Sequence, residues 1–433
     1  MLLGNTHSSF DRSLRQTVDW RLLLCYLLLM VIGLFSIYAS VHATEGGSLL
    51  DIHSRSGKQF VWMCISLVVG AVTLFAVNPR IWELVAPVGY LFVLALLVLV
   101  IFVSKDVKGS HSWFEFGGVK FQPAEVSKIT TSLMLALAMS RQNFHLRTWK
   151  GMLAVACIIG LPMLAILGES ETGSALVYVG YLFVLYREGL SGWWFALIGL
   201  AVLLFILTLA CPWWASVSVL GVICTATLVL SLRSKNRARR RNGILATIGV
   251  LAAGALLIFA TDFIFNNVLQ EHQRKRIEIL LGMKEDPSGV GYNVRQSMIA
   301  IGSGGFLGKG FLNGTQTAYG FVPEQSTDFI FCTIGEERGF LGCLILILLY
   351  VYLIYRIVQD AERCREGFTR IYGYCVASCL FMHLMINISM TIGLMPVIGI
   401  PLPMLSYGGS SLLSFSLMIF IFLALYRQEN KYF

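Results

Sequence analysis

The chain has 433 residues, of which 56% are apolar and only 13% charged, and its formal net charge is +9. A soluble domain of this length needs far more charge to coat its surface, so composition excludes one and points to a bilayer. The basic excess sits in short loops between apolar runs, which is the pattern of membrane orientation and not of nucleic-acid binding.

In chain order, Arg12, Arg15 and Arg21 precede an apolar run from Leu22 to Ser40. That run exceeds a signal-peptide core and reads as an uncleaved first span. A transmembrane helix takes roughly 20 mostly apolar residues. The windows that qualify predict spans near 22–42, 59–78, 82–103, 123–140, 151–168, 173–187, 193–210, 213–232, 243–262, 329–356, 371–391 and 408–426. The expected fold class is all-α, a polytopic bundle of about twelve transmembrane helices. Residues 1–433 read as a single membrane domain, with a large structured extracytoplasmic loop over 263–328. The sixth run is short, and the tenth is long enough to predict a bend at Gly335 or Gly339.

With both termini cytoplasmic, the strongly basic short loops all fall inside, as the positive-inside rule requires. These are Arg80, then Arg141, Arg147 and Lys150, then Arg187, the run Arg233–Arg241, and Arg356 to Arg370, with Arg427 and Lys431 in the tail. The ten cysteines lie mostly within spans, form no CxxC pair and have no zinc spacing, so they read as small hydrophobes. The outer side receives Lys105–Gln122, Phe263–Ser326 and Gly393–Gly409. The second segment carries Arg274, Lys275, Arg276, Lys284 and Arg295, but loops of that length escape the charge bias. Its regular glycines and apolar residues favour a structured, functional loop.

Four constellations bear on chemistry. Pro323 to Phe331 sets Glu324 and Asp328 at the outer mouth of a span. Two readings stand there: Ser326 or Thr327 caps the helix with an acid suited to its dipole, or the acid is a general base. In Gln122-Pro123-Ala124-Glu125-Val126-Ser127-Lys128, Pro123 suits a first helical turn, and Glu125 and Lys128 share a face. Ionisable residues in or near a span mark functional cavities, although a mutual ion pair would also explain these two. Glu169 and Glu171 sit on an outer turn, either as solvated residues or as a cation site. The run Gly302 to Gly310 fails the Walker A spacing and lacks the Ser/Thr after Lys309. It offers a phosphate cradle or a tight turn.

These residues together resemble the RodA/FtsW (SEDS) family over most of the chain. The resemblance rests on Lys108-Gly109 with Trp113, Gln122-Pro123-Ala124-Glu125 through Lys128, Asp286-Pro287, Gly291-Tyr292 and Gln296-Ser297. It continues through Ile301 to Gly310, Pro323-Glu324, Thr327 to Phe331, Glu336-Glu337 with Gly339, Asn387, Gly393, Met395-Pro396, Gly399, Pro401-Leu402-Pro403 and Ser406 to Ser411. Gly314-Thr315-Gln316 is more similar to the elongation branch, RodA, than to the division branch, FtsW. Three departures stand out. Ser326 replaces the usual His, Ser112 replaces an Arg, and Glu169-Ser170-Glu171 replaces Gln-Pro-Asp. The family has about ten spans against roughly twelve read here, the extra pair falling within 193–262.

The resemblance implies a peptidoglycan glycosyltransferase of the bacterial cytoplasmic (inner) membrane, polymerising lipid II on the outer face in cell elongation and shape maintenance. It implies Asp328 as general base, with Glu125, Lys128, Trp113, Lys309, Arg276, Glu324 and Ser410 about the substrate cavity. A sugar 4-hydroxyl is a weak nucleophile, so a carboxylate should take its proton. Departing undecaprenyl pyrophosphate needs cations, for which Lys128, Arg274, Arg276 and Lys309 are candidates, or a divalent Mg or Mn at Asp328. The implied partner is a class B penicillin-binding protein, a monofunctional transpeptidase. A lipid II flippase fits the polytopic architecture as well, although no inverted repeat is visible. A scaffold that activates the transpeptidase is the other alternative.

Overall fold

In hydrocarbon every backbone polar group needs an internal partner, so apolar runs of this length become helices. The computed structural model describes residues 18–104, 112–116, 119–233, 236–267, 274–275, 277–278 and 290–430. Lys108, Gly109, Arg276, Lys284, Asp286 and Pro287 lie outside the described residues.

In chain order the elements are α1 (Trp20–Glu45), α2 (Arg55–Phe75), α3 (Arg80–Val103), β1 (Phe114–Phe116), β2 (Val119–Phe121), α4 (Pro123–Met139) and α5 (Trp149–Gly168). A broken run follows: α6 (Thr172–Val177), a 3₁₀ turn (Tyr178–Gly180) and α7 (Tyr181–Arg187). Then come α8 (Trp193–Ala210), α9 (Trp213–Leu232), α10 (Arg237–Asn267), α11 (Val290–Ser303), α12 (Thr315–Ala318), α13 (Ile330–Arg363), α14 (Gly367–Thr391) and α15 (Gly409–Asn430).

Among the described residues, ten helices are long and apolar enough to cross a membrane. The other two expected spans correspond to α4, with 17 residues, and to the broken α6–α7 run. The protein is a multi-pass membrane protein. An antiparallel hairpin, β1–β2, pairs Phe114 with Phe121 ahead of α4.

Local chemistry sets the helix ends. The Asp19 carboxylate accepts from the Arg21 and Leu22 amides at the start of α1, Ser54 caps α2 through the Gly57 amide, and Pro123 opens α4. The expected bend in the long helix is at Gly339, whose φ of 65° lies in the left-handed region.

By internal contacts the chain divides into residues 1–189 with 292–433, and residues 190–291. In the first unit α14 is central, 83% of its most apolar window being buried. It packs on α13, α4, α7 and α15. α15 lies along α2, where a side chain at Gly70 would come within 2.3 Å of the Phe420 ring. Membrane helices approach this closely only where a small residue permits it. In the second unit α8, α9 and α10 meet through Leu204, Leu220 and Cys224, with Leu200, Val250, Leu257 and Ile258 against them.

Candidate functional site

Segments far apart in sequence gather at one end of the first unit. The turn that carries Asp328 is held by its backbone. The Ser326 carbonyl accepts from the Tyr407 amide at 2.8 Å, the Thr327 carbonyl from the Ser406 hydroxyl at 2.5 Å, and the Asp328 carbonyl from Asn387 Nδ2 at 2.8 Å. Three successive carbonyls are thus fixed by α14 and by the Gly/Pro-rich stretch before α15. Asn387 is fully buried and also donates to the Ile400 carbonyl at 2.7 Å, tying that stretch to the turn.

The N-cap of α13 is Phe329, whose own side chain makes no capping hydrogen bond. The Thr327 hydroxyl turns back to Glu324, 3.1 Å from its carboxylate. Asp328 is half-buried, and its Oδ2 lies 3.4 Å from where a side chain on Gly399 would begin. Gly399 itself has a φ of +79°. Exposed Glu324 also adopts a positive φ, 55°, a conformation uncommon for a residue with a side chain.

Ser326, where the family pattern has His, is fully buried and accepts from Arg55 Nη1 at 2.8 Å. Arg55 is itself oriented by Glu45, 3.0 Å from its Nε. This places a cation two residues from Asp328. The sequence reading missed Arg55, because its partner is 271 residues away and no local spacing announces it.

Glu125 and Lys128 form the expected ion pair at 2.9 Å, and both are buried. Lys128 has a second partner, His383, whose Nε2 is 2.9 Å from its Nζ. The other ring nitrogen, Nδ1, is 3.0 Å from the Pro401 carbonyl. A carbonyl only accepts, so Nδ1 carries the ring proton and Nε2 accepts from the ammonium. The chain of contacts therefore runs from Glu125 through Lys128 and His383 into the same stretch that holds Asp328.

On the neighbouring outer turn, Ser112 donates to the Glu171 carboxylate at 2.8 Å. Glu169 is fully buried. Burial first, and the charge of Glu171 second, push its carboxyl up to about 9. Gly173 in α6 packs against Ile398 and Ile400, so this turn too rests on the 393–408 stretch. Trp113 and Ser410 are half-buried.

The glycine run answers the cradle question. The amides of Gly308, Lys309 and Gly310 donate to the carbonyls of Gly304, Glu336 and Glu337, and Gly305 and Phe306 accept from Phe340 and Leu341. A side chain on Gly339 would meet the Gly308 nitrogen at 2.3 Å. The run is packed into the bend of α13, and these amides are already engaged. Lys309 pairs with Glu336 at 2.7 Å. That carboxylate also accepts from the amides of Thr315, Gln316 and Thr317, at 2.8, 2.9 and 2.9 Å, at the start of α12. In the second unit Arg274 pairs with Glu278 at 3.1 Å.

The FTSW_RODA_SPOVE family model, described as cell cycle protein, matches residues 19–240 and 216–431. The chain belongs to this family. It is 33% identical over 388 residues to the peptidoglycan glycosyltransferase MrdB of Escherichia coli (strain K12), covering 89% of each chain. It is 31% identical over 420 residues to the peptidoglycan glycosyltransferase RodA of Treponema pallidum, covering 91% of this chain and 94% of that protein. Among solved structures, it shares its fold with a chain from work on the structural coordination of polymerization and crosslinking by a peptidoglycan synthase complex. The TM-score is 0.70 at 23% identity, covering 95% of this chain and 98% of that one. The Rod shape determining protein RodA of Thermus thermophilus gives a TM-score of 0.58 at 22% identity, with coverage of 95% and 97%.

Proposed function

We propose that this protein polymerises lipid II into glycan strands on the outer face of the bacterial cytoplasmic membrane, in elongation and shape maintenance. Its named relatives are peptidoglycan glycosyltransferases. The observation that carries the reading is the Asp328 turn, fixed through three successive carbonyls at the entrance to α13.

In this reading Asp328 takes the proton of the acceptor sugar 4-hydroxyl as that oxygen attacks the donor anomeric carbon. The bond to undecaprenyl pyrophosphate breaks with inversion, and no covalent enzyme intermediate is needed. Arg55, beside the turn, stabilises the charge that develops on the pyrophosphate. Buried Lys128 acts on the site through His383 and Pro401, as a positioning residue. Trp113, Ser410, Glu324, Lys309 and Arg276 remain candidates for contact with the substrate.

Among the described residues no group of three His, Cys, Asp or Glu side chains is placed to hold a metal ion. The proposed partner is a class B penicillin-binding protein, in keeping with the likeness to a chain studied in a synthase complex. The charge of the short loops supports an orientation with both termini in the cytoplasm.

Purified protein, with and without its transpeptidase, is to be incubated with labelled lipid II. Glycan polymer from the purified chain supports the reading. Transfer of lipid II across vesicles without polymer would make it a flippase, and polymer arising from the partner alone would make it a scaffold.

A further inference from the structure

A cavity lies at the end of the first unit away from the Asp328 turn. Where α2 ends and α3 begins, the turn at residues 76–79 lies beside the last turns of α15 and leaves a cavity of about 380 Å³. Small-molecule sites run to roughly 300–1,000 Å³. Phe75, Asn78, Arg80, Arg427 and Gln428 line it, with the backbone of the turn.

Arg427 is only 9% exposed. Its Nη1 donates to the Leu74 carbonyl at 2.8 Å, and its guanidinium lies 5.0 Å from the centre of the Phe75 ring. Its buried Nε has no acceptor, and no carboxylate pairs with it, among the described residues. A buried cation without a counter-charge is costly, and arginine cannot escape the cost by losing its proton. Exposed Arg80 adds a second cation at the rim and is in the field of Glu366. Asn78 and Gln428 supply neutral donors.

We propose that this cavity holds the phosphate of an anionic phospholipid headgroup, with Arg427 as the main contact and Arg80 at the rim. The guanidinium fork matches phosphate oxygens. Helix ends lie at headgroup level, and basic pockets between membrane helices bind anionic headgroups. Val72 and Phe75 on α2, 50% and 52% exposed, offer apolar surface to the attached chains.

The test measures lipid binding to the full chain in neutral detergent by native mass spectrometry and thermal shift. It compares phosphatidylglycerol, phosphatidylcholine and inorganic phosphate. Phosphatidylglycerol should bind about tenfold more tightly than phosphatidylcholine, and inorganic phosphate should bind far more weakly than the lipid. Arg427→Gln should abolish the preference, and Arg80→Gln should reduce it. Ala76→Phe keeps both cations but fills the cavity, and it should lose phosphatidylglycerol while melting without lipid near the wild-type temperature. If Arg427→Gln lowers the melting temperature yet leaves the lipid preference intact, Arg427 merely caps α2 and the proposal is wrong. Equal binding of the two lipids, or of inorganic phosphate and phosphatidylglycerol, would overturn it as well.

Discussion

Asn387 donates to two carbonyls at once, those of Asp328 and Ile400, and nothing else among the described residues supplies both bonds. Asn387→Ala should cost about 1–3 kcal/mol by leaving buried acceptors unmet. Because the bonds aim Asp328, polymerisation should fall by more than the loss of folded protein explains. Turnover normalised to folded protein, measured alongside thermal unfolding, checks this; proportionate losses would mean Asn387 is only structural. Glu169 makes a separate case through pH. Its carboxyl is raised from 4.5 to about 9, so the folded state keeps a proton that the unfolded state gives up. Its stability contribution is therefore fully present below the unfolded value and is lost as pH rises towards the folded one. Melting temperatures between pH 5 and pH 9 should fall less steeply for Glu169→Gln than for wild type, with pH values chosen to span this shift. Parallel slopes would contradict this account.

At the scale of elements, the bend in α13 and the glycine run form one unit. Gly339→Ala puts a side chain on a left-handed backbone, worth about 1–2 kcal/mol, and against the Gly308 nitrogen as well. Glu336→Gln removes the charge that holds Lys309 and the first amides of α12, and should cost about 3 kcal/mol. Denaturant unfolding in detergent measures both. Spans, the bend at Gly339 and the Glu125–Lys128 pair were legible because each is local: hydropathy over one window, or a spacing within one turn. The fate of the glycine run was not, because engaged amides and open amides share the same residues. Arg55 with Ser326, and Lys128 with His383, were equally hidden, since they join residues 271 and 255 apart.

Across the whole molecule, the reading depends on which face of the membrane carries Asp328. Reporter fusions after Arg241 and after Asn430 should score cytoplasmic, and one at Gly289 external; an external signal at Arg241 would put Asp328 on the wrong side. The most direct test is the polymerisation of labelled lipid II by Asp328→Asn protein, shown to be folded and bound to the proposed transpeptidase. Asparagine keeps size and turn geometry but cannot take a proton, and general bases contribute about 10²–10⁴-fold in rate. The account predicts that polymer nearly vanishes, while polymer at close to the wild-type rate would contradict it.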